Sequence, residues 1–220
     1  MVTRQRIAAS FAVASAVVAL CAGCASDAWA APHPEPTAVG ALGKGFEPSS
    51  SPSPEATITP SPGSWNDLHP SAGYRVVLLI AGTDKATRTL EAAVRKWAEE
   101  ERVDLRAVST DGDHIAGIVS AIEMRPDLIV SVGNDLVDPL AVVTANHLDQ
   151  QFLVVGAEVA EPTHNVTAVD WTGASFRGEG LGTPSSYNAE SFTAKRCAAA
   201  VRAGVAAVLH KLTGIVLWIE

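Results

Sequence analysis

Cysteine, aromatic residues and concentrated positive charge are all scarce in this chain, and each scarcity closes off a class of protein. Three cysteines stand at positions 21, 24 and 197 of 220 residues, too few for a disulfide-stapled scaffold. Lys and Arg number 16 against 24 Asp and Glu, for a formal net charge of −8 with no basic run. Electrostatics therefore give nucleic-acid binding no support. The six histidines, at 33, 69, 114, 147, 164 and 210, show no pairing at zinc-ligand spacing. No Walker loop, G-x-G-x-x-G fingerprint or G-x-S-x-G elbow occurs, so no catalytic set, cofactor or metal is indicated. Aromatics make up 5% of a chain that is 47% hydrophobic, so its core is mainly aliphatic.

Apolar runs of membrane-spanning length are missing as well. The longest candidate, Ile7 to Leu20, follows Arg4 and Arg6 and has the length of a signal-peptide h-region. Leu20-Cys-Ala-Gly-Cys24 then resembles a bacterial lipobox, which implies a signal peptide over 1–23 and a lipid on Cys24. Cleavage after Ala28-Trp-Ala30, with simple secretion, is the alternative. Loss of Arg4 and Arg6 takes the mature charge from −8 to −8 − 2 = −10. Cys197, inside a helical pattern, then reads as a small buried hydrophobe rather than a nucleophile.

Nine of the 13 prolines fall between Pro32 and Pro70. Residues 24–72 thus read as a disordered Pro/Ser-rich tether without a core, extending on the order of 100 Å at ~3.1 Å per residue. From 73 to 220 strands and helices alternate. Arg75–Ala81 is a buried strand, and Leu90, Val94 and Trp97 mark a helix. Val103–Val108 alternates like a half-exposed strand, and Ile115, Ile118, Val119 and Ile122 mark a second helix ending before Pro126. Asp127-Leu-Ile-Val-Ser-Val-Gly133 is apolar without alternation, as in a strand covered on both faces. Asp138-Pro139 predicts the cap and first turn of a third helix carrying Leu140, Val143 and Leu148. Phe152–Gly156 and Val166–Asp170 are further strands. Val201, Val205, Val208 and Leu212 mark a helix stopped by Thr213-Gly214, and Ile215–Ile219 is a last strand. The pattern predicts an α/β fold, a doubly wound and mostly parallel sheet with flanking helices.

In such sheets ligands bind beyond the carboxyl ends of the strands. That rule selects Thr83 and Asp84 after the first strand, Gly133, Asn134 and Asp135 after the third, and Trp171 after the fifth. Each has a plainer reading: a turn, a helix cap, or a rim tryptophan. Gly178-Glu-Gly-Leu-Gly182 reads as a loop, and Asp111-Gly-Asp113-His114 as a turn and cap that lacks the remaining calcium ligands.

The strand ending in Gly82-Thr-Asp-Lys-Ala86, the Asp127–Gly133 strand and Asn165-Val-Thr-Ala-Val-Asp170 together resemble the basic membrane protein family, from about Tyr74 to the end. These are lipoprotein substrate-binding components of ABC importers with the type I periplasmic-binding-protein fold. The resemblance implies a membrane-tethered, extracytoplasmic receptor lobe without catalysis. Its implied partners are a small solute such as a nucleoside and an ABC permease. The family follows Asp-Lys with a small residue, Phe and Asn; here Ala86-Thr87-Arg88 follows, without the aromatic contact. The family also has two lobes, and this chain ends where the second begins. An envelope interaction module that kept the fold and lost the ligand is therefore the alternative. An exported flavodoxin-like enzyme has no nucleophile behind it.

Overall fold

In the computed structural model the described residues are 29, 31–110, 112–160, 162–177 and 187–220. The segment read as a signal peptide, with Cys21 and Cys24, and the stretch 178–182 read as a loop lie outside them. The chain divides after Ala31, and the fold is that of 32–220.

In chain order the strands are β1 (Ala38–Gly40), β2 (Thr57–Ile58), β3 (Leu68–Pro70), β4 (Arg75–Ile80), β5 (Asp104–Ser109), β6 (Leu128–Val132), β7 (Phe152–Val155), β8 (Ala157–Glu158), β9 (Val166–Asp170), β10 (Ser175–Arg177) and β11 (Val216–Trp218). The helices are α1 (Lys85–Glu101), α2 (His114–Glu123), α3 (Val137–Thr144) and α4 (Ala194–Leu209). Seven strands form one sheet in the order β2-β11-β9-β7-β6-β4-β5, parallel throughout. α1 packs beside α4, and α2 beside α3. The doubly wound reading of the sequence thus holds.

The central strands β4, β6, β7 and β9 are buried nearly end to end, as the unalternating apolar runs require. The helices show the complementary stripe: α1 buries Leu90, Val94 and Trp97, and α4 buries Val201, Val205 and Val208. Two boundaries differ from the sequence reading. α3 is not capped by Asp138. A 3-10 turn, Asn134–Leu136, runs directly into it, so Asp138 falls in its first turn and Leu148 lies beyond its end. α4 stops at Leu209, before Thr213-Gly214, because Lys211 turns the backbone into the left-handed region at φ 62°.

The tether expectation fails for the described part of 24–72. β1 and β3 pair antiparallel, and β2 joins the main sheet parallel to β11. Phe46, Ile58, Trp65 and Leu68 are buried in the same core cluster as α1 and α4. Proline and serine dominate the average composition, but four large apolar side chains spaced along the segment anchor it. It is a strap, and it covers an edge that would otherwise leave β11 unpaired. Three histidine–carboxylate pairs fasten it: His33 to Asp127 at 3.0 Å, His69 to Glu101 at 2.9 Å, and His210 to Glu47 at 2.9 Å.

Candidate functional site

The chain runs from β4 to β5 on one side, then crosses over to β6 on the other. The carboxyl ends of β4 and β6 therefore flank the topological switch point, the usual crevice for a ligand in open α/β sheets. Gly133, at the end of β6, has φ 108°, and a Cβ there would lie 2.1 Å from the Ala81 carbonyl oxygen. Only glycine permits this approach, which draws the two strand ends together.

The crevice is a pocket of about 40 Å³ lined by Asp84, Ala86, Thr87, Leu90, Gly133, Asn134, Val155, Gly156, Tyr187 and Phe192. Three residues selected from the sequence, Asp84, Gly133 and Asn134, thus meet. The other three do not line it. Thr83 is exposed, and its carbonyl accepts the Arg88 guanidinium. Asp135 is exposed in the turn leading to α3.

Trp171 is no stacking platform at the rim. It is 1% exposed, its indole Nε1 donates to Ser191 Oγ at 3.0 Å, and Phe192 meets it edge-on with centroids 5.0 Å apart. The tryptophan is a second layer beneath Phe192. Gly156 lets both rings close in, since a Cβ there would stand 2.8 Å from Phe192 Cε1 and 3.1 Å from Trp171 Cη2.

Asp84 is the N-cap of α1. Its Oδ1 accepts the Ala86 N–H at 2.8 Å and the Thr87 N–H at 3.1 Å, and its Oδ2 accepts the Thr87 hydroxyl at 2.5 Å. Burial acts to raise the Asp84 carboxyl, but these donors outweigh it and hold the group below the usual carboxylate range. Tyr187, half exposed, tilts against Phe192 at 5.8 Å. Burial, then the charge of Asp84, pushes its hydroxyl up. Lys85 Nζ reaches both oxygens of Glu190 at 2.8 Å and ties the start of α1 to the short 3-10 turn Ala189–Ser191.

Tyr187 and Phe192 escaped the sequence reading because they come from the long connection between β9 and α4. One signal was available: an aromatic directly before Thr193, whose Oγ1 caps α4 by accepting the Arg196 N–H at 3.2 Å. Elsewhere the plainer readings hold. Asp113 caps α2 through the Ala116 N–H at 2.9 Å. Cys197 is fully buried, and burial pushes its thiol up to about 12, far from a reactive thiolate. Among the described residues no cluster suits a metal ion, and no helix is long and apolar enough to cross a membrane.

No family model and no curated protein matches this chain. Among solved structures, an ABC transporter solute-binding protein from Aeropyrum pernix K1 is 22% identical over 44% of this chain and 28% of its own, with a TM-score of 0.40. A chain described as a lipoprotein fragment from Peptoclostridium difficile 630 is 18% identical over 63% of this chain and 99% of its own, at 0.44. A transcriptional activator of the comK gene from Bacillus halodurans is 17% identical over 45% and 35%, at 0.39. The chain thus spans under a third of the first neighbour's length. All three likenesses are partial, and the fold class rests on the strand order of the sheet itself.

Proposed function

We propose that this chain is a non-catalytic recognition lobe of the solute-binding type, displayed outside the cytoplasm on a lipid carried by Cys24. In this reading it is of the basic membrane protein kind, takes a nucleoside or related small solute, and serves an ABC permease. The observation that carries the reading is the meeting of Asp84, Gly133 and Asn134 at the switch point, over a floor of Leu90, Val155 and Phe192. The Asn134 amide beside an apolar lining suits a small, partly polar ring compound.

One observation favours the second reading, an envelope interaction module that no longer takes a solute. The crevice holds about one water molecule, whose share of liquid volume is roughly 30 Å³, whereas small-ligand pockets span roughly 300–1,000 Å³. Solute entry therefore requires Tyr187 and Phe192 to swing aside. Calorimetry with a nucleoside and sugar panel separates the readings, run on the native chain and on Phe192→Ala. Heat with either protein supports the solute-binding lobe. Silence from both at millimolar ligand sinks it and leaves the interaction module.

A further inference from the structure

The three histidine–carboxylate pairs that join the strap to the rest of the fold are not equal. The His69–Glu101 and His210–Glu47 pairs fasten stretches that Phe46, Ile58, Trp65 and Leu68 already bury in the core. Their imidazoles are 43% and 40% exposed, and Glu101 also spends Oε1 on Arg202 at 2.7 Å. Burial of the four apolar anchors outweighs either contact.

The leading arm of the strap, residues 32–40, is held differently. None of its residues is buried, and β1, which lies within it, is exposed throughout. The short ladder to β3 fixes its backbone. Beside that ladder the Ser71 N–H donates to the Thr37 carbonyl at 2.9 Å, and the Thr37 N–H donates to Ser71 Oγ at 3.1 Å. At the start of the arm His33 Nε2 lies 3.0 Å from Asp127 Oδ1, with the two side chains 22% and 7% exposed. This pair is the least exposed of the three, so water and salt screen it least. A segment without buried apolar contacts sits at the low end of local stability. A several-fold change in one ion pair then decides whether it is docked.

What the arm covers is the amino end of the sheet. Glu35 and Pro36 form one side of a cavity of about 480 Å³, and Tyr74, Asp127 and Gln151, at the strand starts, form another. Asp127 Oδ2 accepts the Arg75 N–H at 2.8 Å, and the Arg75 charge and the Tyr74 hydroxyl also act on this carboxyl. Glu35, Asp149 and Lys211 are the other charged groups around the cavity. A protonated imidazole meets ionised Asp127 as a charge pair, whereas a neutral ring keeps one hydrogen bond without the full Coulomb attraction. Docking is therefore strongest below the ordinary imidazole value of about 6.5 and weakens as pH rises through it. Burial raises the Asp127 carboxyl, and the Arg75 N–H and the His33 charge offset this only in part. Stronger acid therefore neutralises the carboxylate and bounds the docked range from below.

We propose that His33 makes the arm a pH-sensitive cover of this cavity, docked while the ring carries its proton and released as the proton leaves. The cover is independent of the switch-point crevice and stands or falls separately from the solute-binding reading. Amide hydrogen exchange of the purified full chain from pH 5.5 to 8, corrected for the intrinsic rate, tests it in the peptide spanning β1. The expected result is protection that falls about threefold to tenfold across that range. His33→Gln lowers the protection at pH 5.5 to the native level at pH 8 and removes the slope. His164→Gln, which replaces an exposed histidine outside the strap, leaves the slope as it is. Native protection of the β6 amides establishes that the variants are folded. The proposal is overturned by β1 protection that does not change with pH in the native chain, by a native slope in His33→Gln, or by equal loss of the slope in His164→Gln.

Discussion

The two ends of one sheet have been finished in opposite ways. At the carboxyl end the protein fills its own crevice: Phe192 and Tyr187 occupy the space, and Asp84 spends its oxygens on its own helix. At the amino end an open cavity of about 480 Å³ remains between the strand starts at Tyr74, Asp127 and Gln151, the strap at Glu35 and Pro36, and the end of α4. The ligand position that strand order favours and the presence of open space are thus separable properties of a fold. The strand order marks the first. Only side chains from distant segments decide the second.

The comparison breaks most readily through the strap, because the strap walls the open end. Phe46→Ala empties a fully buried position and should cost about 3–5 kcal/mol. Chemical denaturation measures the loss, and an unchanged midpoint would mean that the strap is dispensable. The closed end responds to Gly133→Ala, which forces a Cβ against the Ala81 carbonyl at a positive φ. The expected cost is on the order of 2–3 kcal/mol, together with easier proteolysis near β4 and β6. An Ala variant as stable as the native chain would show that the strand ends need not approach so closely.

The smallest effects are in pH dependence, where the two ends carry opposite signs. Asp84 is held below its ordinary range, so its contribution is present above an unfolded value near roughly 4 and is lost as pH falls through the lower folded value. Asp127 is displaced upward, by burial first, with the Arg75 N–H and the nearby His33 charge only partly offsetting it. Its native form keeps a proton that the unfolded chain has released, so stability falls as pH rises between its unfolded and folded values. Melting curves from pH 3 to 7 should show Asp84→Asn flattening the acid loss and Asp127→Asn flattening the opposite slope. Asp84→Ala at pH 7 should cost about 1 kcal/mol as a lost cap. Parallel pH profiles for the two Asn variants would refute the contrast.

The sheet was readable because Val76–Leu79 and Leu128–Val132 are short, unalternating, mainly apolar runs, whose length and β-branched content suit a doubly covered strand. Part of the crevice was readable for a related reason: glycine and polar turns at strand ends follow from chain direction alone. Asp84, Gly133 and Asn134 were found that way. Trp171 was misjudged because a residue after a strand can face either outward or into the next layer, and Ser191 and Phe192 hold it inward. The strap was misjudged because a composition average weighs many prolines and serines above four anchors, whereas burial of the four decides whether the segment docks.

By itself, then, the sequence determined what depends on neighbours in the chain: the strands, the helix stripes, the cap at Asp113, and the inert thiol of Cys197. Tertiary structure alone decided what depends on distant segments meeting. It closed the switch-point crevice with residues from before α4, and it converted a proline-rich stretch into the sheet's seventh strand. It also left a cavity open at the amino ends of the strands, lined by Tyr74, Asp127 and Gln151. Local propensity is a property of short segments, whereas occupied or empty space belongs to the packed whole.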